Sequence, residues 1–433
     1  MSADVLSTLV LVAIFAIGMW RPVNMGAVAL VAAFLLGTTY FGMESGEIIA
    51  GFPGSLFVTL VGVTFLFALA RANGTVDWLV KAAVGFVRGR VILIPWVLFT
   101  LAALITGIGA ISAATNAILV PIGMALAQQY RINPMLIGLS ILNGTNAGGF
   151  SPIAVYYTIV DGALDKSGVH VGAGGIFVAT FLFNLVLNLA AFTLFGGWKL
   201  RGRRELAPED TQLEGDAPGG SGGSVSVLTA TRGRTRADVT TLVTLTLLVA
   251  LVVGAVWFDL DVGFLALTAA VLLVIFFPGQ AKDAASGIAW NVVLLIGGIV
   301  TYVTMLQTVG VVDSLGKAVA GIDQPLLAGF LMLLVGAVVS AFASTNAMFG
   351  VLVPLAIPFV VAGDMSAFGI TAALCVAASA VDASPFSTGG ALVVANAEES
   401  KRDATFRSLM TWGMSMIAVA PLTAALVFLL PSL

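Results

Sequence analysis

Two stretches of forty residues, Val91–Tyr130 and Gln324–Gly363, contain no charged side chain. Each is about two membrane spans long. Each holds small polar residues near its middle: "ISAATNAILVP" (Ile111–Pro121) in the first and "SAFASTNAMFGVLVP" (Ser340–Pro354) in the second. Arg90 and Arg131 flank the first block, and Asp323 and Asp364 flank the second. Like flanks place both ends of a block on one side of a membrane, and a turn reaching the far surface would normally carry charge. Each block therefore reads as a re-entrant helical hairpin ending at mid-membrane. Irregular backbone at that depth is tolerated only where protein or a water-filled cavity surrounds it.

Composition agrees. Of 433 residues, 59% are hydrophobic and 9% charged, against about 25% charged in soluble domains. A soluble chain this apolar could not cover its surface, so an all-α polytopic membrane protein is expected. Spans are predicted at 4–20, 25–41, 55–71, the hairpin 91–130, 134–160 and 172–198. The segment Lys199–Asp238, with "EDTQLEGDAPGGSGGS", predicts a disordered linker. The pattern then begins again at 239–257, 262–278, 290–308, the hairpin 324–363, 366–395 and 408–431. Arg21 follows the first apolar run rather than preceding it, which reads as a span and not a cleavable signal. A lone cysteine, Cys375, excludes an internal disulfide, and a lone histidine, His170, excludes a His-rich metal site. No metal site, cofactor or nucleic-acid partner is expected.

The recurrence extends to residues. "NGTVDWLVKA" (Asn73–Ala82) matches "VGVVDSLGKA" (Val309–Ala318) 236 positions later, and "NAGGFS" (Asn146–Ser151) parallels "DASPFS" (Asp382–Ser387) at the same offset. "ATNA" (Ala114–Ala117) parallels "STNA" (Ser344–Ala347), whereas Pro121 and Pro354 favour a register three residues different. With each hairpin returning to its own side, five crossings remain per half. Starting outside, seventeen lysines and arginines then fall inside and only Lys166 and Lys317 outside, a strong positive-inside pattern. An odd number of crossings makes the repeats inverted, as in many secondary transporters. The expected division is a first repeat over 1–198 (hairpin part 91–198), a cytoplasmic linker over 199–238, and a second repeat over 239–433 (hairpin part 323–433). Both termini are expected outside. Thr75–Arg88 and Val311–Ala320 read as amphipathic segments lying along the membrane surface.

The span after each hairpin is interrupted, by "LNGTNAGGFSP" (Leu142–Pro152) and by "ASAVDASPFSTGG" (Ala378–Gly390). Glycine and proline do not sustain a regular helix there. Ser151-Pro152 and Ser384-Pro385 read as the N-cap and first position of new half-helices, whose N-termini attract anions without any basic side chain. Apart from Arg71, the last residue of the span 55–71, no lysine or arginine lies inside a predicted span. A buried anion must then be held by dipoles: Ser112, Thr115, Asn116, Ser344, Thr345 and Asn346 at the tips, and Asn146, Ser151, Ser384, Ser387 and Thr388 at the breaks. Oxygens of Asn143, Thr145 and Asn346 suit a hard cation. Asp382 is the one carboxylate deep in a span, a costly placement that points to cation binding or proton carriage, with a hydrogen-bonded structural role as the alternative. Taken one at a time, small polar residues in membrane helices are more often packing contacts than ligands. It is their recurrence in both halves that marks a site.

"PVNMGAVALVAAFLLG", "GEIIAGFPGSLFVTLVGVTFLFALARANGTVDWLVK", "RGRVILIPWV" and "NAGGFSPIAVY" resemble the malonate and dicarboxylate carriers of the MatC type. The second half resembles, more loosely, the divalent anion/sodium symporter group of the ion transporter superfamily. In that group each hairpin tip bears a Ser-Asn-Thr signature that binds substrate carboxylate and sodium. Ser344-Thr345-Asn346 has the same residue types in another order, whereas Ser112-Ala113, with Thr115-Asn116 a turn later, departs further. The resemblance implies a homodimer in a bacterial cytoplasmic (inner) membrane, a fixed scaffold and an elevator-like moving part. Together these readings predict a cation-coupled secondary carrier, with Na+ or H+ as coupling ion, for malonate or a C4-dicarboxylate such as succinate or malate. A proton-coupled carrier or antiporter for another anion (citrate-like, arsenite) and a sodium/proton antiporter are the alternatives. Filter-like charged rings and the HExxH motif are missing from the sequence, which disfavours a channel or an enzyme.

Overall fold

The computed structural model describes residues 3–20, 23–86, 90–165, 168–203, 238–258, 260–280, 284–311, 314, 325–342, 345–361 and 365–432. Ser344, Lys166, Lys317, most of Val311–Ala320 and linker residues 204–237 lie outside that set.

All regular elements among the described residues are helices. The first half holds α1 (Ala3–Trp20), α2 (Met25–Thr39), α3 (Ser45–Ala50), α4 (Gly54–Ala72), α5 (Thr75–Phe86), α6 (Ile94–Gly107), α7 (Ser112–Gln129), α8 (Pro134–Gly148), α9 (Val155–Asp165) and α10 (Ala173–Leu194). The second holds α11 (Val239–Trp257), α12 (Val262–Phe276), α13 (Trp290–Thr308), α14 (Pro325–Phe342), α15 (Thr345–Val361), α16 (Ala367–Val381), α17 (Thr388–Asn396) and α18 (Glu399–Ala424). Four described helices, α4, α10, α13 and α18 with its continuation to Leu429, are long and apolar enough to cross a membrane by length and composition. Both charge-free blocks are helical hairpins, α6–α7 and α14–α15, and each is followed by a helix broken in two, α8/α9 and α16/α17.

The halves interlock reciprocally. α2 packs on α13 as α12 packs on α4; α7 packs on α17 as α15 packs on α9. Glycines permit the first pair of contacts. A side-chain carbon on Gly298 would enter the Gly26 carbonyl, and one on Gly26 the Leu294 carbonyl. In the equivalent pair, a carbon on Gly62 would lie 2.6 Å from the Gly263 carbonyl oxygen, and one on Gly263 2.8 Å from the Thr59 Cα. Apolar burial does not drive helix association inside a bilayer, so close backbone approach at small residues carries it. α4 also packs on α9, and α13 on α15, which joins the early helices to the hairpin-and-break region.

Three sequence expectations change. Lys199–Arg203 does not belong to the linker. Gly197–Leu200 forms a 3-10 turn with Leu200 buried, and the Arg203 guanidinium donates to the Tyr130 carbonyl at 2.8 Å, holding the segment against the end of α7. Next, the breaks align at an offset of 233 rather than 236. Residues 149–154 and 382–387 have the same succession of turns and bends before a new helix begins, so Gly149 matches Asp382 and Ser151 matches Ser384. Finally, Ser151-Pro152 and Ser384-Pro385 do not open the half-helices. α9 begins at Val155 and α17 at Thr388, where Ser387 caps by accepting from the Gly390 N–H at 3.0 Å.

Candidate functional site at the junction of tips and breaks

Each tip is tied to its own break by a matching set of hydrogen bonds. In the first hairpin, the Thr106 hydroxyl donates to that of Thr115 at 3.1 Å across the two arms. In the second, Ser340 and Thr345 bridge the arms at 3.0 Å. Ser151 donates to the Gly107 carbonyl, and Ser384 to the Ala341 carbonyl at 2.7 Å. The reason is local. The last carbonyls of a hairpin arm have no helical partner, and at this depth there is little water to replace one. Ser151 and Ser384, expected as anion-binding caps, are instead committed to these carbonyls. Ser387, expected as a ligand, caps α17 and also donates to the Ser384 carbonyl at 2.8 Å.

This pattern also fixes the register of the tips. Thr115 is the counterpart of Thr345, so "ATN" aligns with "STN" at an offset of 230. Between the last carbonyl of the first arm and the bridging threonine, the first tip spans eight positions (107 to 115) and the second four (341 to 345). The first tip thus carries four extra residues, and Ser112 lies on that added turn.

The two halves meet at four side chains. The Tyr156 hydroxyl, on the first turn of α9, donates to Asp382 Oδ2 at 3.4 Å. Ser112 and Thr345 lie beside this pair. Ser340 gives its single hydroxyl proton to the Ala378 carbonyl at 2.9 Å, so Thr345 is the donor to Ser340. Tyr156, Ser112 and Thr345 are buried, while Asp382 keeps partial exposure. Phe150, Tyr156 and Phe349 form an aromatic triangle beside them, with ring centroids 5.3–5.6 Å apart. This wall seals α15 against the first break. On the other side the Asn116 amide lies against α17: a side-chain carbon on Gly389 would be 2.7 Å from Asn116 Nδ2.

Not every expected residue joins this group. Thr145 donates back to the Leu142 carbonyl within α8, at 2.8 Å. Asn146 turns away and donates to the Ser379 carbonyl at 2.8 Å. Asn143 is buried with its amide nitrogen unpartnered, and Thr388 is exposed at the start of α17. The amide oxygens of Asn116 and Asn346 are buried and unpartnered, as ligand-ready acceptors would be. Sequence reasoning missed Tyr156, whose only signal is a pair of tyrosines four residues beyond Pro152.

This arrangement can hold a small anion or cation without a basic residue. Ala154 stands where Ser387 stands in the second break, and it has no side-chain oxygen to cap α9. The first N–H groups of that helix have no side-chain cap, and the one at Tyr157 donates instead to the Gly149 carbonyl at 3.3 Å.

Comparison with known proteins agrees with this anatomy. Residues 1–149 match the family model described as the dicarboxylate carrier protein MatC N-terminus, and residues 253–432 match that of a citrate transporter, CitMHS. No curated protein sequence matches the chain. Its fold is similar to the crystal structure of the YdaH transporter of Alcanivorax borkumensis, reported to have an unusual topology. The TM-score is 0.59 at 14% identity, over 90% of this chain and 88% of that one. Two transporter family models thus account for most of the chain's length, one in each half, and mark it as a membrane transporter rather than an enzyme.

Proposed function

We propose that the chain is a cation-coupled secondary carrier of small dicarboxylates, malonate or a C4-dicarboxylate such as succinate or malate. One observation carries this reading. The tips and breaks of both halves converge on uncharged donors and a single carboxylate, with no lysine or arginine among them. Dipoles alone are a weak match for a dianion, so a co-bound Na+ or H+ completes the charge balance. The Ser112 hydroxyl and the amides of Asn116 and Asn346 contact the carboxylates, and Thr345 and Tyr156 join them by redirecting the protons they give to Ser340 and Asp382. Asp382 takes the cation or proton. The two inverted repeats divide into a scaffold of early helices and a moving part of hairpins and broken helices. The reciprocal packing of α2 on α13 and α4 on α12 supports a rigid frame of that kind. The proposal includes a homodimer in a bacterial cytoplasmic membrane, with the central linker in the cytoplasm and both termini outside.

The test is uptake of a labelled dicarboxylate panel into proteoliposomes, with and without a sodium gradient, at two pH values. Accumulation of malonate or a C4-dicarboxylate against its gradient, driven by sodium or by protons, is the expected result. Gradient-independent equilibration would mean a passive pore. Transport of none of the panel would overturn the substrate assignment.

A further inference from the structure

A second polar cluster lies behind the tip junction, where α8, α10 and α16 pack against one another. The Asn146 amide nitrogen donates to the Ser379 carbonyl at 2.8 Å. The Asn184 amide nitrogen donates to the Thr180 carbonyl at 2.9 Å and to Ser379 Oγ at 3.3 Å. Asn146, Asn184 and Ser379 are at most 1% exposed, and so is Asn188, one turn further along the Thr180–Asn184 face of α10.

These amides are not interchangeable end for end. Backbone carbonyls accept only, so the atoms bonded to Ser379 O and Thr180 O must be nitrogens. The oxygens Asn146 Oδ1 and Asn184 Oδ1 are therefore true acceptors, and both are buried without a donor. Neither end of the Asn188 amide is partnered, so nothing in its surroundings distinguishes its oxygen from its nitrogen. Leaving one buried acceptor unsatisfied costs about 1–3 kcal/mol, and native structures rarely gather several in one place. A cation satisfies several at once. None of these groups titrates near neutral pH, so a proton is not the occupant, and none carries charge, which suits a monovalent ion better than a divalent one.

We propose that the junction of α8, α10 and α16 is a site for a monovalent hard cation such as sodium, held by Asn146 Oδ1, Asn184 Oδ1 and Ser379 Oγ, with Asn188 completing the shell. The placement gives the ion a role. By the 233-residue offset Asn146 and Ser379 are equivalent positions, each three residues before its break. An ion there clamps both helix ends that present Gly149 and Asp382 to the substrate junction. Loading this site would preorganise both breaks before substrate arrives. The inference rests on the reading of the chain as a cation-coupled carrier and adds a second cation site to the one at Asp382.

The test is sodium-22 binding to the purified full-length protein in detergent without substrate, alongside dicarboxylate uptake in proteoliposomes. Asn184→Leu keeps the side-chain volume and removes the oxygen; Ser379→Ala is milder and keeps the fold if the first does not. Each is expected to bind one sodium fewer per protomer, or to raise half-saturating sodium at least tenfold, with potassium failing to compete in the wild type. Wild-type stoichiometry and half-saturation in both variants would mean the junction holds water or only packs, and would overturn the site. So would a wild type that binds no sodium. Wild-type sodium-driven uptake in both variants sinks the site but not the carrier. Sodium binding lost in the variants, with no dicarboxylate transported by the wild type, keeps the site and sinks the substrate reading.

Discussion

Asp382→Asn is expected to lower dicarboxylate uptake at least tenfold while leaving the yield of folded, monodisperse protein unchanged. The substitution preserves shape. Tyr156 can still donate to the amide oxygen at the position now held by Oδ2. What disappears is one negative charge at the meeting point of both halves. Hydrogen bonds to charged groups contribute about 1.5–3 kcal/mol, or roughly tenfold to a hundredfold in an equilibrium constant. Uptake should therefore lose its dependence on the coupling gradient more than its affinity for substrate. Sodium and pH titrations of uptake, with size-exclusion profiles as the folding control, separate the two. Gradient dependence and rate like those of the wild type would make Asp382 a structural residue that merely orients Tyr156. Tyr156→Phe should then have the larger effect of the two.

The features legible in the sequence are those set by local chemistry. Forty residues without charge, flanked alike, specify a hairpin whichever way the rest folds, and α6–α7 and α14–α15 occupy those blocks. Glycine and proline mark the breaks, although α8 runs through Gly144 to Gly148 before stopping. Long-range partners set the rest. Ser151 and Ser384 look like caps because Ser-Pro is a strong local signal, yet the orphan carbonyls of Gly107 and Ala341, forty-odd residues away, claim their hydroxyls. Tyr156 sits in an apolar run and reads as core or lipid-facing. Only the packing of α9 on α15 brings it to a carboxylate 226 positions later. Thr180, Asn184 and Asn188 do carry a readable signal, polar residues every fourth position in an apolar helix. Within a predicted span they blend with the packing contacts that membrane helices commonly use. Lys199–Arg203 was hidden by the composition of the linker it borders.

Gly298→Val is expected to abolish folded protein, reducing the monodisperse fraction on size exclusion at least tenfold, whereas Gly46→Ala leaves it unchanged. The contrast isolates one cause. A side-chain carbon at Gly46, in the exposed helix α3, meets nothing within 4 Å; one at Gly298 enters the Gly26 carbonyl. Extra atoms in a packed core cost about 1–3 kcal/mol when neighbouring side chains can move. Here the obstacle is backbone, so α2 and α13 must separate and the contacts along their length go with them. Against a total stability of about 5–15 kcal/mol, losing one of two reciprocal pairings is disabling. Gly62→Val should act in the same direction through α4 and α12, more mildly, since its nearest obstacle, the Gly263 carbonyl oxygen, is at 2.6 Å and the next is the movable Leu267 side chain at 3.1 Å. Wild-type profiles for Gly298→Val would mean that α2 and α13 do not approach this closely.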